Sequence, residues 1–255
     1  MVKKGLKKEY FVMTGIKEAI ENKNIFTGYE ELDVVIKGVI PGELVMIAGR
    51  PLVGKTSMSL NIAKYAAGKE NSVVFFSLSA SKEVVVRHVV ESKRSKFQNV
   101  TENRFLNIMI DDTPGMSVEE IFAKCCIYKE KYDLKLVVIN YLQLITVTYE
   151  KPVSRHKEIE YISTLLKSMA KVLQIPIIVI TQLKSNICNP YDNDSILSNL
   201  HESGATDKDI DVLILLRASE NGIVARDNHV TALLRNRDGI WNMIKLTSII
   251  DINAS

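Results

Sequence analysis

"GRPLVGKT", Gly49 to Thr56, is the stretch on which the reading of this chain turns. It matches G-x-x-x-x-G-K-[ST] in full. The apolar run Leu44 to Ala48 precedes it and a helical pattern, Thr56 to Ala67, follows it. This strand–loop–helix setting is the one in which the pattern cradles phosphates. Gly49 and Gly54 let the backbone curl so that N–H groups face phosphate oxygens. Arg50, Pro51, Leu52 and Val53 form the loop between them, and Ser57 continues the first helical turn. The helix start adds its positive dipole end. Lys55 is placed to reach the β- and γ-phosphates, and the Thr56 hydroxyl to ligate Mg²⁺. ATP and Mg²⁺ are therefore the expected cofactors. A plain glycine turn would not explain Lys55-Thr56.

Outward from this loop, strands and helices alternate. Pro41-Gly42 is a turn. Ser72–Leu78, Phe105–Ile110, Leu136–Ile139 and Ile175–Thr181 read as strands. Lys82–Glu91 and Glu158–Leu173 read as helices, and Ser117 opens another, with Glu120 completing a capping box. Near-continuous Val/Ile runs separated by helices predict a mostly parallel sheet covered on both faces. At the end, "DVLILLRA", "HVTALLRN" and "WNMIKLT" lie too close for helices between them, which predicts antiparallel additions. Gly5–Lys23 reads as a separate helix, with Leu6, Tyr10, Met13, Ile16 and Ile20 at helical steps. Residues 1–25 are therefore expected to be an arm or linker, and 26–255 one α/β domain. Thr146–Ser154 and Lys184–Gly204 read as loops, the second long enough to be functional or disordered.

Composition narrows the class. The chain has 255 residues, 46% apolar and 25% charged, with a net charge of +3. This is ordinary globular composition. The charge permits a nucleic-acid partner without requiring one. Cys125, Cys126 and Cys188 show no metal-ligand spacing, and reduced thiols fit a cytoplasmic setting. The start "MVKKGLKKEYF" has no apolar core of a secretory signal. No run approaches the ~20 residues of a membrane span.

Beyond the phosphate loop, "TGYEELD", "FFSLS", "IDDTPGMS", "YLQL", "TQL", "HESGA" and "RNRDG" occur in that order. Together they resemble the C-terminal motor domain of DnaB-type replicative DNA helicases, a RecA-like ATPase. The resemblance runs from about Phe26 onward and does not include the family's separate N-terminal domain. The span between "FFSLS" and "IDDTP" is shorter than the family's. The resemblance implies ring-shaped hexamers around single-stranded DNA, with ATP between subunits and hydrolysis driving strand separation.

Two positions depart from it. Where the family has Asp in "DYLQL", holding Mg²⁺ through water, this chain has Asn140. Where the family has the Glu that polarises the attacking water, it has Ser79. Asn140 carries no charge to balance Mg²⁺, and Ser79 is too weak a base to replace Glu. Loss of a general base alone costs roughly 10²–10⁴-fold in rate. Glu83 and Asp111-Asp112 are nearby acids; the aspartates read as a strand end and turn, and Glu83 as a poor candidate for a relocated base.

Other positions match. Gln182 corresponds to the family's γ-phosphate sensor. Arg235 and Arg237 correspond to the basic pair that one subunit inserts into its neighbour's ATP site. Residues i and i+2 on a strand share a face, so both could act as arginine fingers. For DNA, the family's "RESG" is "HESG" here, so His201, Glu202 and Gly204 are candidate contacts, with Arg155 after the first loop. Lys151, Lys157 and Lys184 add positive charge suited to backbone binding. Tyr149 and Tyr191 are the aromatic candidates for stacking. The expected assembly is a homo-hexamer or a mixed ring with an intact replicative helicase. Three readings follow: an active helicase, a non-hydrolysing ring subunit or regulator, or another RecA-like ATPase. "YLQL" and "HESGA" speak against the last.

Overall fold

The computed structural model describes residues 23–91, 107–148, 154–183, 207–217 and 229–247. The expected helix Gly5–Lys23 apart from Lys23 itself, the strand start Phe105-Leu106, the long loop Lys184–Gly204 with His201, Glu202, Gly204 and Tyr191, and Tyr149 and Lys151 lie outside these residues. In chain order the elements are α1 (Glu30–Ile36), β1 (Leu44–Gly49), α2 (Lys55–Gly68), β2 (Ser72–Ser77), α3 (Lys82–Glu91) and β3 (Ile108–Asp111). They continue with α4 (Val118–Tyr132), β4 (Leu134–Asn140), α5 (Arg155–Leu173), β5 (Ile177–Gln182), β6 (Val212–Arg217), β7 (His229–Arg235) and β8 (Trp241–Thr247). Short 3₁₀ turns stand at Leu142–Leu144 and Asp207–Asp209.

All eight strands form one sheet in the order β3-β2-β4-β5-β1-β6-β7-β8. β1 lies between β5 and β6 and is parallel to both. β7 pairs antiparallel with β6 on one side and with β8 on the other, so β7 is the strand that runs against the rest. The expectation of three antiparallel additions is thus corrected at its first member. β6 lies parallel to β1, with Val45 facing Val212 and Gly49 facing Leu216. β7 and β8 follow through shorter connections, which suit reversal of direction.

The parallel strands are buried on both faces, as their unbroken Val/Ile character requires. Their side chains alternate between two cores. Leu44, Met46 and Ala48 of β1 join Val137, Ile139, Ile177 and Val179 on the face covered by α4 and α5. Val45 and Ile47 join Leu136, Val138, Ile178 and Ile180 on the face covered by α1 and α2. The period of two is what one sheet between helical layers demands. α4 begins as expected: the Ser117 hydroxyl accepts from the Glu120 N–H, and the Glu120 carboxylate accepts from the Ser117 N–H. Burial of Cys125 within this helix pushes its thiol up to about 12, so it behaves as a packing group.

α1 is an element that sequence reading left out. Thr27 and Gly28 turn the chain into it. Both donate backbone N–H groups to the Asp33 carboxylate at 2.9–3.1 Å, and the Thr27 hydroxyl donates to the same group at 2.8 Å. Tyr29 is buried beside the helix and accepts from the Asn61 amide at 2.9 Å. The "TGYEELD" segment therefore clips the chain onto α2 before β1 enters the sheet.

Candidate phosphate site and its two flanks

The glycine-rich loop occupies the turn from β1 into α2, at the carboxyl edge of the sheet. At Gly49 a Cβ would stand 2.8 Å from the Leu216 carbonyl oxygen and 2.9 Å from Val53, so no side chain fits. Gly54 has φ +89° and caps α2, the left-handed geometry that glycine takes without strain. Leu52 lies at the loop tip and is 95% exposed. Arg50, Pro51, Thr56 and Ser57 are exposed around it. The Lys55 ammonium folds back onto the Arg50 carbonyl at 2.5 Å. Desolvation lowers its pKa to about 8. A phosphate at this place would offer the ammonium a far stronger acceptor than that carbonyl.

The next two strand ends carry Gln182 and Asn140. Gln182 stands beside Gly49 in register and is exposed. Its position is fixed by Gln143, a residue sequence reading passed over. The Gln143 amide donates to the Thr181 hydroxyl at 2.8 Å and to the Gln182 carbonyl at 3.2 Å, and its oxygen accepts from the Gln182 N–H at 3.3 Å. The "YLQL" signature thus acts as a brace between two strand ends. The only hint in sequence was a polar residue between two leucines.

Asn140 is 3% exposed at the end of β4. Its amide donates to the Ser79 hydroxyl at 3.2 Å. The two positions that depart from the resembled pattern therefore touch each other, as a neutral hydrogen-bonded pair. Nearby carboxylates are engaged elsewhere. Burial pushes the Asp111 carboxyl up, but bonds from Lys124 and Thr113 together outweigh it and hold it below its ordinary range; it accepts from the Lys124 ammonium at 2.5 Å. Asp112 accepts from the Lys82 N–H at 2.8 Å. Glu83 sits in the exposed first turn of α3, kept ionised by hydrogen bonds at the helix start. Among the described residues, no group of three or more His, Cys, Asp or Glu side chains could hold a metal. The loop fits nucleotide phosphates: it offers backbone donors, a cation and room that a Cβ would fill. It does not offer Mg²⁺ a carboxylate; Thr56 is the protein oxygen placed to ligate it.

The predicted arginine pair lies at the opposite, amino edge of the sheet. Arg235 ends β7 and donates to the Ile210 carbonyl at 3.2 Å. Arg237 is in the turn beyond the strand, so the expected shared strand face is not how the two are arranged. Its guanidinium is held by Glu43 on two sides, with one bond at 2.8 Å. It also donates to the carbonyls of Ile36 and Gly38, the latter at 2.7 Å. Glu43 is 7% exposed and accepts as well from the Ile40 N–H at 2.8 Å. Neither arginine shares the strand end on which its own chain's phosphate loop stands.

Arg155, a candidate DNA contact, is engaged locally. It donates to the carbonyls of Gln143 at 2.8 Å and Ile145 at 2.7 Å, and pairs with Glu158 at 2.5 Å. It ties the chain leaving β4 to the first turn of α5. Among the described residues, no helix is long and apolar enough to cross a membrane.

Comparison with known proteins fits this geometry. The model of the DnaB-like helicase C-terminal domain matches residues 24–252. The chain is 34% identical over 255 residues to the replicative DNA helicase DnaB of Geobacillus stearothermophilus, covering 91% of this chain and 56% of that protein. It is 35% identical over 209 residues to the replicative DNA helicase DnaC of Bacillus subtilis, covering 74% of this chain and 46% of that protein. It thus spans about half the length of these relatives. A solved structure of a DnaB-like replicative helicase, described with its interactions with primase, superimposes with a TM-score of 0.73 at 27% identity, covering 88% of this chain and 60% of that one. A KaiC-like protein from Pyrococcus horikoshii shares the fold at TM-score 0.62 and 18% identity, over 87% of this chain and 92% of that one.

Proposed function

Since this chain belongs to the DnaB-like helicase C-terminal domain family, we propose that it is an ATP-binding replicative helicase domain that acts on single-stranded DNA with impaired hydrolysis. The bonded pair Asn140–Ser79 carries this reading. It stands beside an intact phosphate loop, where the family pattern has two carboxylates. Binding needs the loop amides, Lys55 and Thr56, which are kept. Turnover needs a base to take a proton from water, and a serine hydroxyl that accepts from a buried amide does not serve as one. Gln182, braced by Gln143, is retained to meet the terminal phosphate.

Arg235 and Arg237 belong to the same reading, in which Arg237 leaves its clamp on Glu43 and the Gly38 carbonyl when a neighbour presents a phosphate. They lie at the far edge of the sheet, so they act on a phosphate only when it is carried by another chain. A ring of such chains, or a mixed ring with an intact helicase, supplies that arrangement in the cytoplasm. This observation favours a second reading, in which the protein is a non-hydrolysing subunit or regulator that holds ATP and serves its neighbour. DNA contact falls to Arg155, His201, Glu202 and Gly204 in either case.

The test is ATP turnover with single-stranded DNA, measured on this protein alone and mixed with an intact helicase from the same source. Silence alone, with altered turnover in the mixture that disappears on Arg237→Ala, supports the neighbour-serving role. Ordinary helicase turnover by this protein alone sinks the impaired-site reading. Restoring Asn140→Asp and Ser79→Glu together should raise hydrolysis more than either change singly, because both act on one transition state.

A further inference from the structure

Among the described residues, those placed at the phosphate position by the loop and the β4 end are donors or neutral. Lys55 contributes a cation, and the loop and the start of α2 contribute N–H groups. Asn140 gives an amide hydrogen to the Ser79 oxygen at 3.2 Å. Because that oxygen is accepting, the Ser79 hydroxyl hydrogen is directed elsewhere, and Ser79 is itself exposed. The nearby acids are occupied: Asp111 by Lys124 and Thr113, Asp112 by the Lys82 N–H, and Glu83 by hydrogen bonds from its own N–H and from Ser81 at the start of α3.

A divalent cation ordinarily does two things at such a site. It fills an octahedral shell with oxygens, usually including one or two carboxylates. It also screens the phosphates from those same carboxylates. Here the protein offers it the Thr56 hydroxyl, and the wall against which screening would matter is uncharged. A metal-free nucleotide carries more negative charge than its Mg²⁺ complex, and this pocket answers it with Lys55 and the helix start.

We propose that this chain binds nucleoside di- and triphosphates nearly independently of Mg²⁺, the neutral Asn140–Ser79 pair being what sets that preference. This rests on the reading of Gly49–Thr56 as a nucleotide site. The pair is a specificity element: it removes the metal's advantage while leaving the phosphate cradle whole.

The experiment is calorimetric titration of the purified chain with ADP and with ATP, in excess Mg²⁺ and again in EDTA. The expected result is a Kd that changes less than about threefold between the two conditions in the wild type. In Asn140→Asp, binding should weaken at least ~tenfold on removal of Mg²⁺, because the added carboxylate repels bare phosphate and rewards the metal. Ser79→Glu should move the same way. A wild-type loss beyond tenfold in EDTA overturns the proposal, as does an Asn140→Asp protein that binds and shows the wild-type insensitivity. An Asn140→Asp protein that does not fold leaves the wild-type comparison and Ser79→Glu to decide. Absence of binding in both conditions, with circular dichroism showing folded wild type, defeats the nucleotide reading itself and is thereby distinguished from failure of the metal preference alone.

Discussion

The two ends of strand β1 are built by opposite rules. At the carboxyl end, Gly49 leaves a space no side chain can fill, and Lys55 is left on a backbone carbonyl. At the amino end charged side chains are paired within the fold. Glu43 holds Arg237, Asp211 accepts from the Leu44 N–H at 2.7 Å, and Lys167 bridges Asp211 and the Gly42 carbonyl at 2.6 and 3.0 Å. One end keeps its donors for a ligand; the other satisfies them within the fold. A single strand can thus carry a binding site and a structural joint, provided they lie at opposite edges of the sheet.

The comparison can be broken by substitutions that affect one end only. The largest effect on stability is expected from Glu43→Ala, which strands a partly buried guanidinium. It should destabilise the fold by about 3 kcal/mol, read by urea denaturation. Nucleotide affinity should stay within about twofold, since nothing at the phosphate loop is touched. Similar stability in Glu43→Ala and wild type would show the clamp to be idle. Lys55→Ala is the mirror case. It should weaken ATP binding by at least ~100-fold, about 2.7 kcal/mol, with no loss of stability. Equal losses in both measurements would mean the loop is structural after all.

Gly49→Ala should disturb the loop through the Leu216 carbonyl. A loss of about 2 kcal/mol in stability is expected, together with weakened nucleotide binding. Gln143→Ala should be mildest, about 1 kcal/mol from the brace on β5. Its signature is weaker ATP binding with ADP binding unchanged, because Gln182 is assigned to the terminal phosphate.

pH sharpens the same contrast. Burial lowers Lys55 to about 8, below its ordinary value of 10.5. The free site therefore loses its cation as pH rises through 8, and bound phosphate restores it. ATP binding should take up a proton above that pH, and affinity should fall up to about tenfold per pH unit, as titration in buffers of different ionisation enthalpy would reveal. Stability moves the other way. The unfolded chain holds this proton more tightly, so the Lys55 contribution rises with pH from about 8 towards 10.5. Lys55→Met should flatten both trends.

What could be read from sequence was whatever is local. The phosphate loop spans eight consecutive residues, and its glycines, lysine and threonine each have a place that short-range chemistry sets. The capping box at Ser117 and Glu120 was legible for the same reason. α1 was not, because it is only seven residues long, lies between two glycine turns, and leaves Val34 77% exposed. The direction of β6 was hidden because an apolar run fixes burial and not orientation. Glu43 and Arg237 are 194 positions apart, and no spacing rule connects them. Asn140 and Ser79 were each legible as departures, but their contact exists only because β2 and β4 are neighbours in the sheet.

β1 has six residues and so separates Lys55 from Arg237 by roughly 16 Å of strand alone. A chain of this length cannot bring its two cations to one phosphate. Any process that needs both is a property of contact between molecules, so its rate per subunit should fall on dilution and saturate as protein concentration rises. A specific activity for such a process has meaning only beside the concentration at which it was measured.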